Sequence, residues 1–595
     1  MNKNLADADR LLQSGQFEAA ADACRKSIRM NRDTALAIRM LAACHYNLGV
    51  QRLQQPGPTT AAQAEFRRAL ELDPAHTDAA NNLGSALLVE GSRQAAVDLF
   101  RSAAKQRPRE MRYQLNLTRA LVLGGRLDEA SAMLARCAEL NPENAGAYLL
   151  TDAILTEQIA PDADYPRRIR EVIASKFERL GHEEHAISNP LEMSGSYFPL
   201  SYHGIGNIDI ARAIAALYLK WCPSLAWKSA HVERWKPPEK RIRIGLVSWF
   251  FRNHSISNTT RGLIKQLDRE RFEVIVIRLV PSPGDENARL IDKAADRVVT
   301  VPPGLQPARE AIASLGLDVL FYQDVGLEPA SYFLAFSRLA PVQLTSFGHP
   351  DTTGIPNLDY FVSSSLYELP GAQRDYSEQL VEIPGAGTLA YYHRPPVPER
   401  AAARSELGLE EGDHAYLCPQ TLQKIQPAMD EAFAKIAALD PRARIVLIDF
   451  DADQRKALER RLAHATDRVR FIPLASYDRF LARLAAADVI LDTMHFNGQN
   501  TTLEAFTVGT PVVTLPGTLQ RSRHGYGMYK AMGFMDLVAE DLDDYARKAV
   551  RIATDAGYRE HCRNRILESS GVLFENQEFV QSMEDALATM VRDCG

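Results

Sequence analysis

The sequence predicts an α-helical repeat superhelix followed by two doubly wound α/β domains. Three observations predict this order. A 34-residue period of prolines and glycines fills the first quarter of the chain. Short β-branched runs alternate with helical stretches after residue 240, the pattern of parallel sheets covered on both faces. Residues 497–517 read as loop, helix, turn and strand, with small and amide side chains where the helix begins.

Pro74, Pro108 and Pro142 are spaced by 34 residues, as are Gly15 and Gly49, and Gly91 and Gly125. The longer interval from Gly49 to Gly91 is explained by extra residues ending at Thr60. Each unit reads as an apolar helix, a glycine-containing turn, a second helix with small alanines (Ala19, Ala20, Ala95, Ala96, Ala130), then a terminal proline. Proline closes a unit because it has no N–H and disfavours helix in the residue before it. This is the tetratricopeptide pattern, and about four units fit in residues 1–150. Such an array presents a concave face that holds a peptide or protein partner. The alternative role is to extend or dimerise the molecule, so a homodimer is within its reach.

Residues 151–240 lose the period and hold Pro161, Pro166, Pro190 and Pro199 among helical segments. Their aromatic and aliphatic content makes them a packed helical connector rather than a solvated linker. Strand patterns follow at residues 241–248, 272–278, 318–322 and 341–346, within a first half over 241–395. A second half over 396–595 has its strands near Tyr416 and at 444–448, 469–472, 489–491 and 512–515. A proline-rich linker around Arg394 joins the two, and the crevice between such halves is the expected ligand site.

Composition narrows the function. With 46% hydrophobic and 24% charged residues the chain is ordinary globular protein, and at 595 residues several domains are expected. A net charge of −6 argues against general nucleic-acid binding. No apolar stretch is long enough to span a bilayer, and the first residues lack a signal-peptide core. Seven scattered cysteines fit reduced thiols and a cytoplasmic setting, with no zinc-site spacing.

Residues 497–517 carry the chemistry. Thr501 and Thr502 offer hydroxyls and free N–H groups at a helix N-terminus, which suits a phosphate. Glu504, expected in the first turn, can accept hydrogen bonds from both hydroxyls of a ribose. The blander reading is a capped helix with a carboxylate answering its dipole.

At this point the chain resembles the tetratricopeptide-containing protein O-GlcNAc transferases of glycosyltransferase family 41, in their shorter bacterial form, over nearly its whole length. The resemblance rests on four motifs in order: residues 251–257 around His254, the loop 348–354 with Asp359 and Tyr360, the segment 423–427, and residues 497–511. It implies a GT-B fold and inverting transfer from a UDP-sugar to Ser or Thr of a protein acceptor. A related branch glucosylates Asn, and a repeat scaffold that only binds nucleotide is the non-enzymatic alternative.

The resemblance implies that Lys424 contacts the diphosphate and that Gln420, Asn497, Gly498, Gln499, Asn500, Thr501 and Thr502 surround it. Gln499 stands where the animal enzymes carry a histidine, and an amide cannot bring charge. Ala475 and Arg483 match the uracil segment. His349, Pro350 and Thr353 belong to the loop facing sugar or acceptor, and His495 buttresses the diphosphate loop. His254 is either the general base for the acceptor hydroxyl or a group that orients sugar or diphosphate, leaving the proton to the α-phosphate. Asp449 and Asp451 form an Asp-x-Asp pair, but the family places no metal there. The UDP-sugar is a co-substrate and no cofactor is expected.

Overall fold

The computed structural model of the chain describes residues 2–54, 59–399 and 401–594. The chain divides into two compact units, Met1–Leu155 and Thr156–Gly595.

The first unit consists of antiparallel helix pairs. Lys3–Gln13 packs with Phe17–Arg29, Thr34–Leu53 with Thr60–Leu72, Thr77–Val89 with Arg93–Gln106, and Met111–Leu123 with Leu127–Leu140. A further helix, Ala145–Ala153, covers the last pair. Gly15, Gly91 and Gly125 have positive φ at the turns, where L side chains are disfavoured. Gly49 corrects the sequence reading. It lies inside Thr34–Leu53, and a Cβ there would stand 2.5 Å from the ring of Phe66. It is a contact glycine, not a turn glycine: like Gly84 of Thr77–Val89, it lies within the first helix of its pair and faces an aromatic ring of the second. Residues 55–58 of the insertion before Thr60 lie outside the described residues.

The second unit opens with the connector, whose main helices are Tyr165–Gly181 and Ile208–Trp221. It serves both α/β halves. Ile159 joins the core of the second half, and the Trp235 indole donates to Asp318 of the first at 2.7 Å.

The first half is a seven-stranded parallel sheet: β1 (Ile242–Ser248), β2 (Phe272–Arg278), β3 (Arg297–Thr300), β4 (Val319–Tyr322), β5 (Val342–Ser346), β6 (Tyr360–Ser364) and β7 (Gln379–Ile383). Its order is β3-β2-β1-β4-β5-β6-β7. The second half is a five-stranded parallel sheet: β8 (His414–Cys418), β9 (Ala443–Asp449), β10 (Val469–Pro473), β11 (Val489–Leu491) and β12 (Val512–Val513). Its order is β10-β9-β8-β11-β12. In each sheet the chain reverses direction of growth beside its first strand, between β1 and β4 and between β8 and β11. Loops leaving the carboxyl ends of those strands splay apart and open a crevice.

The 396–595 span expected for the second half needs correction. The last helix, Gln577–Cys594, returns to the first half, where Phe579, Met583, Leu587 and Met590 share a core with Ile244 and Val274. Glu584 accepts from the Asp268 N–H at 2.7 Å and pairs with Arg271 at 3.2 Å. The apolar stripe of this helix needs a partner surface, and the first sheet supplies it.

Candidate active site

The topology decides which residues meet. The loop after β8 delivers Gln420 and Lys424, and the loop after β11 delivers Asp492 and residues 495–502. These two strands are paired neighbours in the second sheet, and residues of the two loops meet across the crevice between them. Lys424 Nζ donates to Gln420 Oε1 at 3.0 Å and to the Asn497 carbonyl at 3.1 Å, and lies 4.6 Å over the Phe496 ring. Both hydrogen-bond partners are neutral oxygens. Burial pushes the ammonium down to about 8, against the pull of nearby Asp492. A buried cation held only by neutral acceptors is suited to an anionic ligand.

The helix Gln499–Val508 begins beside it, with Gly498 as N-cap and no side chain capping it. The first N–H groups of such a helix have no intrahelical acceptor. Thr502 is an exception to the sequence reading, since its N–H already donates to the Gly498 carbonyl at 2.8 Å. The free donors therefore come from Gln499, Asn500 and Thr501. The Thr501 hydroxyl is also committed, donating to the Gly498 carbonyl at 2.9 Å and accepting from the Gln420 amide. A Cβ on Gly498 would stand 1.8 Å from that amide nitrogen, so glycine is what allows the close approach. The Gln499 amide and Asn500 Oδ1 are buried without partners.

Glu504 lies in the second turn of this helix, not the first, because the helix starts at Gln499. It is 5% exposed, and burial pushes its carboxyl up to about 7 against a hydrogen bond from Tyr477. Arg483, on the neighbouring helix Tyr477–Ala486, donates to the Pro473 carbonyl at 2.6 Å. Ala475 is half-buried in the loop between them. Asp449 and Asp451 are used locally. Asp449 pairs with Arg455 at 3.0 Å, and Asp451 caps the helix Ala452–Leu462.

From the first half, the loop after β5 brings His349 and Pro350, both buried. Neither His349 ring nitrogen has a partner, and burial pushes its pKa down to about 4. Its ring lies 4.9 Å from that of Phe198 in the connector, which lies 5.8 Å from Phe496 beneath Lys424. Aromatic contacts thus join this loop to the lysine site. Thr353 turns away from ligand contact. Its hydroxyl donates to Glu378 and accepts from the Ile355 N–H at 3.1 Å, bracing the loop.

His254 sits on the loop after β1, stacked on Phe250 at 4.2 Å. It caps the helix Ser255–Gln266, its Nδ1 accepting from the Ile256 N–H at 3.2 Å. Burial and Arg252 push it down to about 4. A neutral imidazole whose Nδ1 accepts carries its proton on Nε2, so Nε2 is a donor. Its ring stack and its hydrogen bond both stay within residues 250–256. His495 has φ +75 and crowds Gly204 of the connector, where a Cβ would stand 2.6 Å from its ring.

Several site residues escaped sequence reasoning. Asp492 is fully buried and accepts from the Gly498 N–H at 3.1 Å and the Thr514 hydroxyl at 2.8 Å, with its pKa raised to about 6 by burial. It fixes the turn that aims the helix start. His524 is 3% exposed with both ring nitrogens unpartnered, and burial beside Lys424 pushes it down to about 3. Arg521 pairs with Asp351 at 3.3 Å and donates to the Ser201 and Ile205 carbonyls, both at 2.8 Å. That buried pair ties both halves and the connector together, and no local pattern announces it.

Comparison with known proteins gives this geometry a family. A solved structure, a mutant of the O-GlcNAc transferase of Thermobaculum terrenum, shares the fold with a TM-score of 0.68 at 24% identity, covering 94% of this chain and 98% of that one. Among curated proteins, the "Probable UDP-N-acetylglucosamine--peptide N-acetylglucosaminyltransferase SPINDLY" of Petunia hybrida is 25% identical over 371 residues, 60% of this chain and 39% of that protein. The Arabidopsis thaliana protein of the same description is 27% identical over 331 residues, 54% of this chain and 36% of its own. The chain therefore spans about two fifths of the length of these relatives. The "UDP-glucose:protein N-beta-glucosyltransferase" of Actinobacillus pleuropneumoniae is 24% identical over 427 residues, 69% of this chain and 64% of its own length. The model described as "Glycosyl transferase family 41" matches residues 159–393 and 393–583, both halves and most of the connector, and on that match the chain belongs to this family.

Proposed function

We propose that the chain transfers a sugar, GlcNAc in the leading reading, from a UDP-sugar to Ser or Thr of a protein acceptor, with inversion and without a metal. One observation carries this reading: a buried lysine with only neutral partners beside the open N-terminus of Gln499–Val508. Lys424 and the N–H groups of Gln499, Asn500 and Thr501 would hold the diphosphate, and Glu504 would accept from the ribose hydroxyls. As the acceptor oxygen bonds to the anomeric carbon, the bond from that carbon to the β-phosphate oxygen breaks. The leaving UDP gains negative charge, which a fixed cation and helix N-terminus stabilise. With its Nδ1 committed to the Ile256 N–H, His254 carries its proton on Nε2, which favours an orienting role over that of base, and the hydroxyl proton would then pass to a phosphate oxygen of the donor. The metal-independent reading is supported by the local engagement of Asp449 and Asp451. The tetratricopeptide array would present the acceptor, and a cytoplasmic setting agrees with the reduced cysteines. Among the described residues no helix is long and apolar enough to cross a membrane.

The match to the Actinobacillus pleuropneumoniae protein supports a second reading, transfer of glucose to Asn. Labelled UDP-GlcNAc and UDP-glucose, each offered with acceptor protein and excess EDTA, test both. Label on Ser or Thr in EDTA is the expected result. Label on Asn selects the second reading, and loss of transfer on chelation, restored by manganese, contradicts the metal-independent mechanism.

A further inference from the structure

The first half holds a pocket that the transfer chemistry does not use. It has a volume of about 230 Å³ and lies between connector residues 194–197 and the loop after β4, residues 326–329. That loop leaves the sheet at its switch point. The pocket adjoins the crevice, since a Cβ on Gly326 would lie 3.0 Å from the His349 ring and the Tyr197 ring is 5.5 Å from it.

Its walls and polar groups are of two kinds. Tyr197, Ile214, Leu327 and Pro329 are apolar. Glu328 is half-buried, and burial raises its carboxyl above the usual range. Arg252 is an opposing charge that acts on it, but its guanidinium lies over the Phe250 ring at 5.3 Å. Tyr332 is 8% exposed and its hydroxyl is buried without a partner. A partly desolvated carboxylate at the wall of an apolar pocket is favoured by a cation that pairs with it.

We propose that this pocket is an acceptor subsite for a basic side chain, lysine or arginine, near the modified residue; this rests on the transferase reading. The methylene stem lies along the apolar walls and the cationic head meets Glu328. Arginine fits best, because a planar guanidinium serves both oxygens of a carboxylate and stacks on aromatic faces.

The probe is butylguanidinium, a guanidinium on a four-carbon stem, titrated into the full chain by saturation-transfer NMR beside neutral butylurea, with UDP titrated separately. Saturable butylguanidinium binding is expected, at least tenfold tighter than butylurea, weakened by added salt, and reduced at least tenfold in Glu328→Gln with UDP affinity unchanged. No saturable binding to wild type, equal binding of butylurea, or full binding by Glu328→Gln overturns the inference. The wild-type comparison decides the matter even should the variant not fold. Absence of UDP binding by wild type would overturn the transferase reading instead.

Discussion

Glu504 sets stability against binding. Its carboxyl, 5% exposed, is raised from 4.5 to about 7, chiefly by burial. A folded pKa above the unfolded one means the fold binds the proton more tightly. The stability this group contributes is therefore full below about 4.5 and lost as pH rises through 7, on the order of 3 kcal/mol. In the charged form the same carboxylate is the better acceptor for two ribose hydroxyls. Glu504→Gln is expected to gain stability relative to wild type between pH 5 and pH 8, while UDP affinity at pH 8 falls about tenfold. Urea unfolding at the two pH values reads the first effect and calorimetry the second. An equal stability difference at both pH values would show that the carboxylate is not desolvated.

At the level of elements, glycine has different tasks in neighbouring repeats. Gly49 and Gly84 each face an aromatic ring, with a Cβ placed 2.5 Å from Phe66 and 2.9 Å from Phe100. Gly49→Ala should destabilise the repeat unit by about 1–3 kcal/mol, because a well-packed site must shift to admit the methyl. Gly15→Ala meets no atom within 4 Å and costs only the strain of its positive φ. Thermal unfolding of the two variants compares them, and a larger loss at Gly15 would reverse the assignment. The sequence showed the period because units separated by 34 residues repeat the same contacts. It did not show the register, because turn and contact glycines look alike until the rings opposite them are placed. Continuous apolar runs made β1, β2 and β9 plain. β6 and β7 were missed because Ser, Gln and Glu interrupt their runs and no long helix precedes them. The site divides in the same way. Lys424, Gln420 and residues 497–502 lie in short readable segments, whereas Arg521 and Asp351 gain meaning only when folding pairs them across 170 positions.

For the whole molecule, the contact boundary after Leu155 separates the repeats from every residue of the proposed donor site. Removing residues 1–155 is expected to leave UDP affinity within about threefold of wild type and to abolish or greatly weaken modification of an intact acceptor protein, since the repeats offer the extended surface. Solubility and circular dichroism must first show that the remainder is folded. Lost UDP binding in a folded truncation would mean that the repeats support the donor site, and unchanged transfer would mean that they do not present the acceptor.

On the proposed function, Lys424 and the start of Gln499–Val508 form the phosphate site of a working transferase. The most direct test is Lys424→Ala in the full chain, measured by UDP calorimetry beside transfer of labelled sugar to protein. Loss of a charge-assisted contact worth roughly 1.5–3 kcal/mol, and of more as charge develops on the leaving group, predicts transfer reduced at least ten- to a hundredfold. Because the fold holds this ammonium below its ordinary pKa, the variant is expected to unfold no earlier than wild type at pH 7. A folded variant with weakened UDP binding and little transfer is the predicted result, and near-normal transfer by that variant would contradict the account.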